Sequence, residues 1–167
     1  MNLLNNEEKS HLIINLDIFD SAMISSPHLS LHRLIQRDVM GQFSEGQLVM
    51  EYAFPTIGRR ADLVWISNKM IIEIQCSSIS LREVLMRTLD YATLGYSLFW
   101  ILHDHCFNKD SVSEAEDFLR SGRSCFTNLM HQGGIYYNQE ESIDGGYRTK
   151  RGAPIEISLF DYLGVYR

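Results

Sequence analysis

The sequence predicts one α/β domain: a helix, three antiparallel strands, a second helix and a further strand, with a mixed central sheet flanked by helices. Three observations carry that expectation. Residues 48–54, 60–66 and 70–76 are rich in Val, Ile, Trp, Tyr and Phe and are bounded by turn residues, as strands are. A helical pattern follows, opened by Ser80 with Glu83 three residues on, the spacing of a capping box. Then Leu98-Phe99-Trp100-Ile101-Leu102 is apolar at every position, as in a strand covered on both faces. A right-handed crossover through the helix joins the third strand to this fourth one.

Length and composition bound the rest. The 167 residues read as a single domain over 1–167, with its core at about 25–104 and a C-terminal elaboration over 105–167. The net charge of −6 argues against a protein that coats nucleic acid by bulk electrostatics. It leaves room for one that binds through local basic patches. No stretch approaches the ~20 apolar residues of a membrane span, and the N-terminus has no basic, then apolar, leader pattern. The three cysteines, Cys76, Cys106 and Cys125, form no CxxC and read as free thiols of a reducing cytosol. The expectation is a cytoplasmic protein with no membrane partner.

In chain order, residues 11–19 form an apolar run read as a strand, with a helix as the alternative. Ser26 caps a helix with Pro27 at its first position, and Leu31, Leu34, Ile35 and Val39 form its apolar stripe up to Gly41. His28 and His32 share a face of it. Their spacing of four could bind a metal, but without a third ligand in the sequence they read as a solvated or core-edge pair. The second helix runs to about Leu94, closed by Gly95, with Leu81, Val84, Leu85, Thr88, Tyr91 and Ala92 on its inner face. His103-Asp104-His105-Cys106 matches no zinc spacing and reads as a loop. Ser113 and Glu116 cap a short helix to about Arg120, and residues 123–132 suggest another. Residues 134–137 read as a strand and 139–153 as a polar, glycine-rich loop. That loop holds the basic run from Tyr147 to Arg151, either a DNA-backbone contact or a solvated patch. Residues 155–163 read as a last strand or a packed tail.

The chemistry sits in the three strands, because each carries one carboxylate: Glu51, Asp62 and Glu73. A carboxylate in a buried strand is costly unless it is paired or holds a metal. If residues 55–58 form the first turn, Phe54 faces Arg59 and Glu51 falls opposite Asp62. A turn at Ser67-Asn68 puts Asp62 opposite Glu73, and one at Asn68-Lys69 shifts the pair to a diagonal on the same face. Opposed residues have Cβ atoms about 4.5–5.5 Å apart, so the three carboxylates form a row. Without a cation they repel one another. Hard oxygen donors suit Mg²⁺ or Mn²⁺. Salt bridges to Arg59, Arg60 and Lys69 are the plain alternative.

Asp62, then ten residues, then Glu73-Ile74-Gln75 in an apolar strand resembles the PD-(D/E)-x-K nuclease superfamily. The longer string narrows this. Arg59-Arg60-Ala61-Asp62-Leu63, then residues 72–80, then Arg87-Thr88 with Tyr91, then Trp100-Ile101-Leu102, is similar to the nuclease-like domain of the CoiA competence proteins. The resemblance covers about 25–104. It implies a restriction-endonuclease-like core and a DNA nuclease using Mg²⁺ or Mn²⁺. Asp62 and Glu73 would hold the ion, the Ile74 carbonyl would be a third ligand, and Glu51 would complete the site. Gln75 stands where the superfamily has lysine, so it would orient water by hydrogen bonding but bring no charge. Arg59, Arg60, Arg82 and Arg87 are the phosphate-contact candidates, with His28, His32 and Arg33 on the first helix. The implied setting is DNA processing or recombination linked to DNA uptake, with recombination proteins as further partners. The alternatives are a nuclease-fold module that binds DNA or recombination proteins without cutting, and an interaction protein whose carboxylates are salt-bridged.

Overall fold

The structure is a computed structural model that describes residues 27–164, apart from the side chains of Pro27 and His28. The strand expected over 11–19 and the Ser26 cap lie outside the described residues.

Helix α1 spans Pro27–Gly41, as the proline and glycine punctuation predicts. Strands β1 (Val49–Phe54) and β2 (Arg59–Trp65) follow as a hairpin. Its turn closes through Ile57 N–H to Phe54 O at 3.2 Å and Gly58 N–H to Pro55 O at 3.3 Å. Gly58 sits at φ +64°, a conformation in which a side chain would be strained. Phe54 pairs with Arg59. A 3₁₀ turn over Ile66–Asn68, with Lys69 left-handed, leads into β3 (Met70–Gln75), and Trp65 pairs with Met70.

Helix α2 spans Leu81–Thr93 and β4 spans Ser97–His103. The Ser80 hydroxyl accepts the Glu83 N–H at 3.2 Å, and Gly95 turns the chain out of the helix at φ +75°. Helix α3 (Glu114–Arg120) is capped likewise, Ser113 Oγ accepting from Glu116 N–H at 3.1 Å. The second arm of both capping boxes is diverted. The Glu83 and Glu116 carboxylates go to arginines instead.

The chain then adds β5 (Ser124–Thr127), β6 (Tyr136–Asn138), a hairpin of β7 (Glu141–Asp144) and β8 (Tyr147–Arg151), β9 (Ile155–Glu156) and α4 (Leu159–Gly164). Seven strands form one sheet in the order β1-β2-β3-β4-β5-β6-β9. β3, β4 and β5 are mutually parallel, and the other neighbours are antiparallel. The chain is thus an α/β protein with a mixed central sheet and, among the described residues, four helices.

Two expectations change. Residues 123–132 hold β5 rather than a helix. Cys125, Phe126 and Thr127 are all buried, and pairing between β4 and β6 outweighs any local helical preference. The polar stretch 139–153 holds the β7–β8 hairpin rather than a loop.

Alternation along the strands divides the core. Met70, Ile72, Ile74, Phe99 and Ile101 join Ile35 and Val39 of α1 and Leu159 and Leu163 of α4 on one side. Ile71, Trp100 and Leu102 face α2 and α3 on the other, with Val84, Tyr91 and Leu119. So α1 and α2 lie on opposite faces of the β1–β3 end, and each can send side chains into it.

Candidate active site

The β2–β3 ladder ends at the pair Leu63 and Ile72, one residue short of Asp62 and Glu73. Beyond it the backbone bond is replaced by a side chain, because Asp62 Oδ2 accepts the Ile74 N–H at 2.7 Å. Across β1, Met50 pairs with Leu63 and Tyr52 with Ala61, which brackets Glu51 level with Asp62. Glu51 itself is left-handed at φ +51°, a kink in an edge strand that turns its carboxylate toward α1. The row of three carboxylates across three strands is therefore present in the backbone.

Their side chains part company. His32 on α1 reaches Asp62, with Nε2 3.1 Å from Oδ2. One turn on, the buried Gln36 amide donates to Glu51 Oε1 at 3.0 Å and to the Asp62 carbonyl at 2.8 Å. One ligand atom each of His32, Glu51 and Asp62 lies within 4.8 Å of the others, the spacing of groups that can share an ion. Two carboxylates beside an imidazole are chemically suited to a divalent cation. The cluster opens into a cleft of about 280 Å³ lined by Leu29, His32, Asp62, Ile74, Gln75, Cys76, Ser77 and Arg87.

Glu73 lies against Asp62 on the side of α2 and is only 1% exposed. Its Oε1 accepts from Tyr91 O–H at 2.8 Å and its Oε2 from Arg87 Nη1 at 2.7 Å, both on α2. Burial pushes the Glu73 carboxyl up to about 8, and the Asp62 charge adds to the rise against Arg87 and Tyr91. Burial draws the His32 imidazole down, but Asp62, Glu51 and Glu73 outweigh it and its pKa rises. The Cys76 thiol is pushed up to about 12 by burial and by Asp62. Burial is the largest influence on each of these groups, and the Asp62 charge acts on all three.

The remaining predicted residues scatter. The Gln75 amide donates to the Ser77 carbonyl at 2.8 Å and to its hydroxyl at 3.2 Å, at the rim of the cleft. Arg59 is held by Glu83 at 2.7 Å and Asp90 at 2.8 Å, and Arg87 also binds Glu83 at 2.9 Å. Arg60 and Arg82 are exposed, and Arg33 is half-buried on α1. The His28 side chain lies outside the described residues. In the basic run of 147–151, the buried Arg148 is ion-paired to Glu116 and Glu141, and Arg151 to Asp110. Arg148 is thus structural, because α3 supplies its counter-charge.

Sequence reading offered His32 as half of a histidine pair or as a phosphate contact, without linking it to the carboxylates, and passed over Gln36. Their spacing of four, on the face that carries Val39, is the signal that places both side chains over the carboxylates.

The family described as competence protein CoiA, nuclease-like domain, matches residues 25–142. The match reaches through β5 and β6, beyond the 25–104 that the motifs carry. No curated protein and no solved structure matches the chain.

Proposed function

The chain belongs to the CoiA nuclease-like domain family, and from that premise we propose that it is a metal-dependent nuclease that hydrolyses phosphodiester bonds in DNA. The observation that carries this reading is the cluster of His32, Glu51 and Asp62 at a cleft mouth, beside a buried third acid. Mg²⁺ or Mn²⁺ would be held by Asp62 and Glu51, with His32, Glu73 and the Ile74 carbonyl around them. The bound ion supplies an acidified water and offsets charge on the phosphate.

The protein's own residues do the positioning. The Ile74 N–H fixes the Asp62 carboxylate, and Gln36 fixes Glu51. Gln75 spends its amide N–H groups on Ser77, which leaves its carbonyl oxygen to accept from a water. Tyr91 and Arg87 hold Glu73 behind Asp62. Arg60, Arg82, Arg33 and His28 are the candidates for backbone phosphates, with Arg59 and Arg87 lending charge from within their ion pairs. The proposed setting is DNA processing or recombination during DNA uptake, alongside recombination proteins.

A second reading has its own support. Gln75 replaces the superfamily lysine, and the nearby Arg87 is tied to Glu73 and Glu83. That favours a module that binds DNA, or a recombination protein, without cutting it. Cleavage of single-stranded, duplex and branched DNA in Mg²⁺ and in Mn²⁺ separates the two. The nuclease reading expects Asp62→Ala to lose at least about a hundredfold in rate, the scale of removing a main electrostatic element of a site. Cleavage unchanged in Asp62→Ala does not come from this site, and binding without cleavage by the wild type selects the module.

A further inference from the structure

A second cleft, of about 560 Å³, lies apart from the Asp62 site. It opens at the carboxyl ends of the parallel strands β4 and β5, where open α/β sheets receive ligands. The buried His103 ties together the two loops that wall it. Its Nδ1 accepts the His105 N–H at 3.0 Å, so its Nε2 carries the proton and donates to the Leu129 carbonyl at 3.1 Å. Two asparagines on these loops are each half used. The Asn108 amide donates to the Tyr137 hydroxyl at 2.9 Å, and that hydroxyl donates to Asp104 at 3.1 Å. Asn108 Oδ1 is thereby left buried and without a partner among the described residues. Asn128 is the reverse: its Oδ1 accepts the Ile135 N–H at 2.9 Å, which leaves its NH₂ group to donate. Lys109 is exposed and has no ion pair among the described residues. Arg151 pairs with Asp110, whose side chain is 95% exposed, and such a pair is weak enough to yield to a phosphate. The exposed Met130 adds an apolar wall.

A fixed acceptor and a fixed donor in one cleft match the hydrogen-bonding edge of an unpaired base, and the two cations match its phosphates. In a duplex that edge is spent on the opposite strand. The cleft is also placed to share a DNA strand with the Asp62 site. Gln75 pairs with Leu102, so Cys76 of the first cleft and His103 of the second lie on neighbouring parallel strands, about 4.8 Å apart. A DNA strand that advances about 3.4 Å per nucleotide passes from one lining to the other in a few steps. We propose that this second cleft binds an unpaired nucleotide of the strand that passes the Asp62 site, so that the substrate is single-stranded or carries a single-stranded end. The proposal rests on the reading of the chain as a protein that acts on DNA, and it goes beyond that reading by naming the form of the DNA. Lys109 and Arg151 hold phosphates, and Asn108 and Asn128 face the base.

The test uses the full chain in metal-free buffer, where DNA is bound but not cut. The probes are a fluorescent thymidine oligonucleotide, a blunt duplex of the same length, and the same oligonucleotide carrying 4-thiothymine for photocross-linking. The expected wild-type result is single-strand affinity at least about tenfold above that for the duplex, the scale of two added hydrogen bonds. Cross-links should map to residues 103–110 or 128–131. The variant Lys109→Ala with Arg151→Ala, checked for folding by circular dichroism, should bind single strand with a salt dependence shallower by about 1.4 in log–log slope, two phosphate contacts at about 0.7 each. Lys69→Ala, just before the amino end of β3, should leave that slope unchanged. Equal affinity for single strand and duplex overturns the proposal, as do cross-links outside the cleft, an unchanged slope in the double variant, or an equal fall in Lys69→Ala. The wild-type cross-links and the single-strand preference decide the matter if the double variant does not fold. Failure of the nuclease reading is seen separately. Cross-links in the cleft with no cleavage of any DNA in Mg²⁺ or Mn²⁺ leave this site standing, and Asp62-dependent cleavage with cross-links elsewhere leaves the nuclease standing.

Discussion

Two places in this molecule gather carboxylates around one buried glutamate, Glu116 in one and Glu73 in the other, and they balance them differently. At the β7–β8 hairpin, Glu116 of α3 and Glu141 of β7 meet Arg120 and Arg148, two acids against two guanidinium groups. Arg148 and Glu116 are almost fully covered there, at 1% and 3% exposure. At the other end lie Glu51, Asp62 and Glu73, where Arg87 binds Glu73. His32, Gln36 and the Ile74 N–H are hydrogen-bonding partners of Glu51 and Asp62, and the Asp62 carboxylate also meets Glu73. The first arrangement is closed in charge and fastens a hairpin to the sheet. The second is short of positive charge and opens into a cleft. Burial of an acid is therefore not by itself a mark of function in this chain.

That contrast can be broken by mutation, most forcefully at the closed network. Arg148→Met removes the guanidinium that spans both glutamates, and a loss of about 3–5 kcal/mol in urea unfolding is expected from stranding them. A loss below about 1 kcal/mol would mean the network does not hold the hairpin, since that is the scale of an exposed ion pair. The open site should respond in the opposite sense. Glu51→Gln with Asp62→Asn relieves like-charge repulsion, so the metal-free protein should be no less stable than wild type. The wild type should gain about 2.7 kcal/mol at free Mn²⁺ a hundred times its dissociation constant, and the double variant should gain nothing. Equal stabilisation of both by the ion would remove the distinction between the two regions.

Smaller effects sharpen the picture of Glu73. Tyr91→Phe deletes the donor to a fully buried carboxylate and should cost about 1–3 kcal/mol by thermal unfolding. Arg59→Gln loosens only partly exposed contacts to Glu83 and Asp90, and a change under about 1 kcal/mol is expected. A larger effect at Arg59 than at Tyr91 would put the weight of the α2 network at its surface end.

Much of the site's scaffold was legible before any coordinates. The turn residues at 55–58 and 67–68 put Phe54 against Arg59 and Asp62 level with Glu73, and the strands follow that register. The caps at Ser80 and Ser113 and the bounds of α1 were equally readable, because they depend on residues within one turn of each other. The 124–127 strand was not, since it exists by pairing with β4 and β6 on either side. Nor was the fate of the basic run at 147–151, whose Arg148 is paired with Glu116 from α3 and with Glu141 across the hairpin.

The sequence by itself determined where the three carboxylates lie along their strands, and so that they form a row. Period-two alternation and turn chemistry are local rules that do not depend on the rest of the chain. Only the tertiary structure decided what each carboxylate does. Several donors compete for each one, and the winners come from helices on opposite faces of the sheet. Tyr91 and Arg87 of α2 take Glu73, while His32 and Gln36 of α1 take Asp62 and Glu51. Sequence distance carries no record of that division, because it follows from which helix packs over which end of which strand.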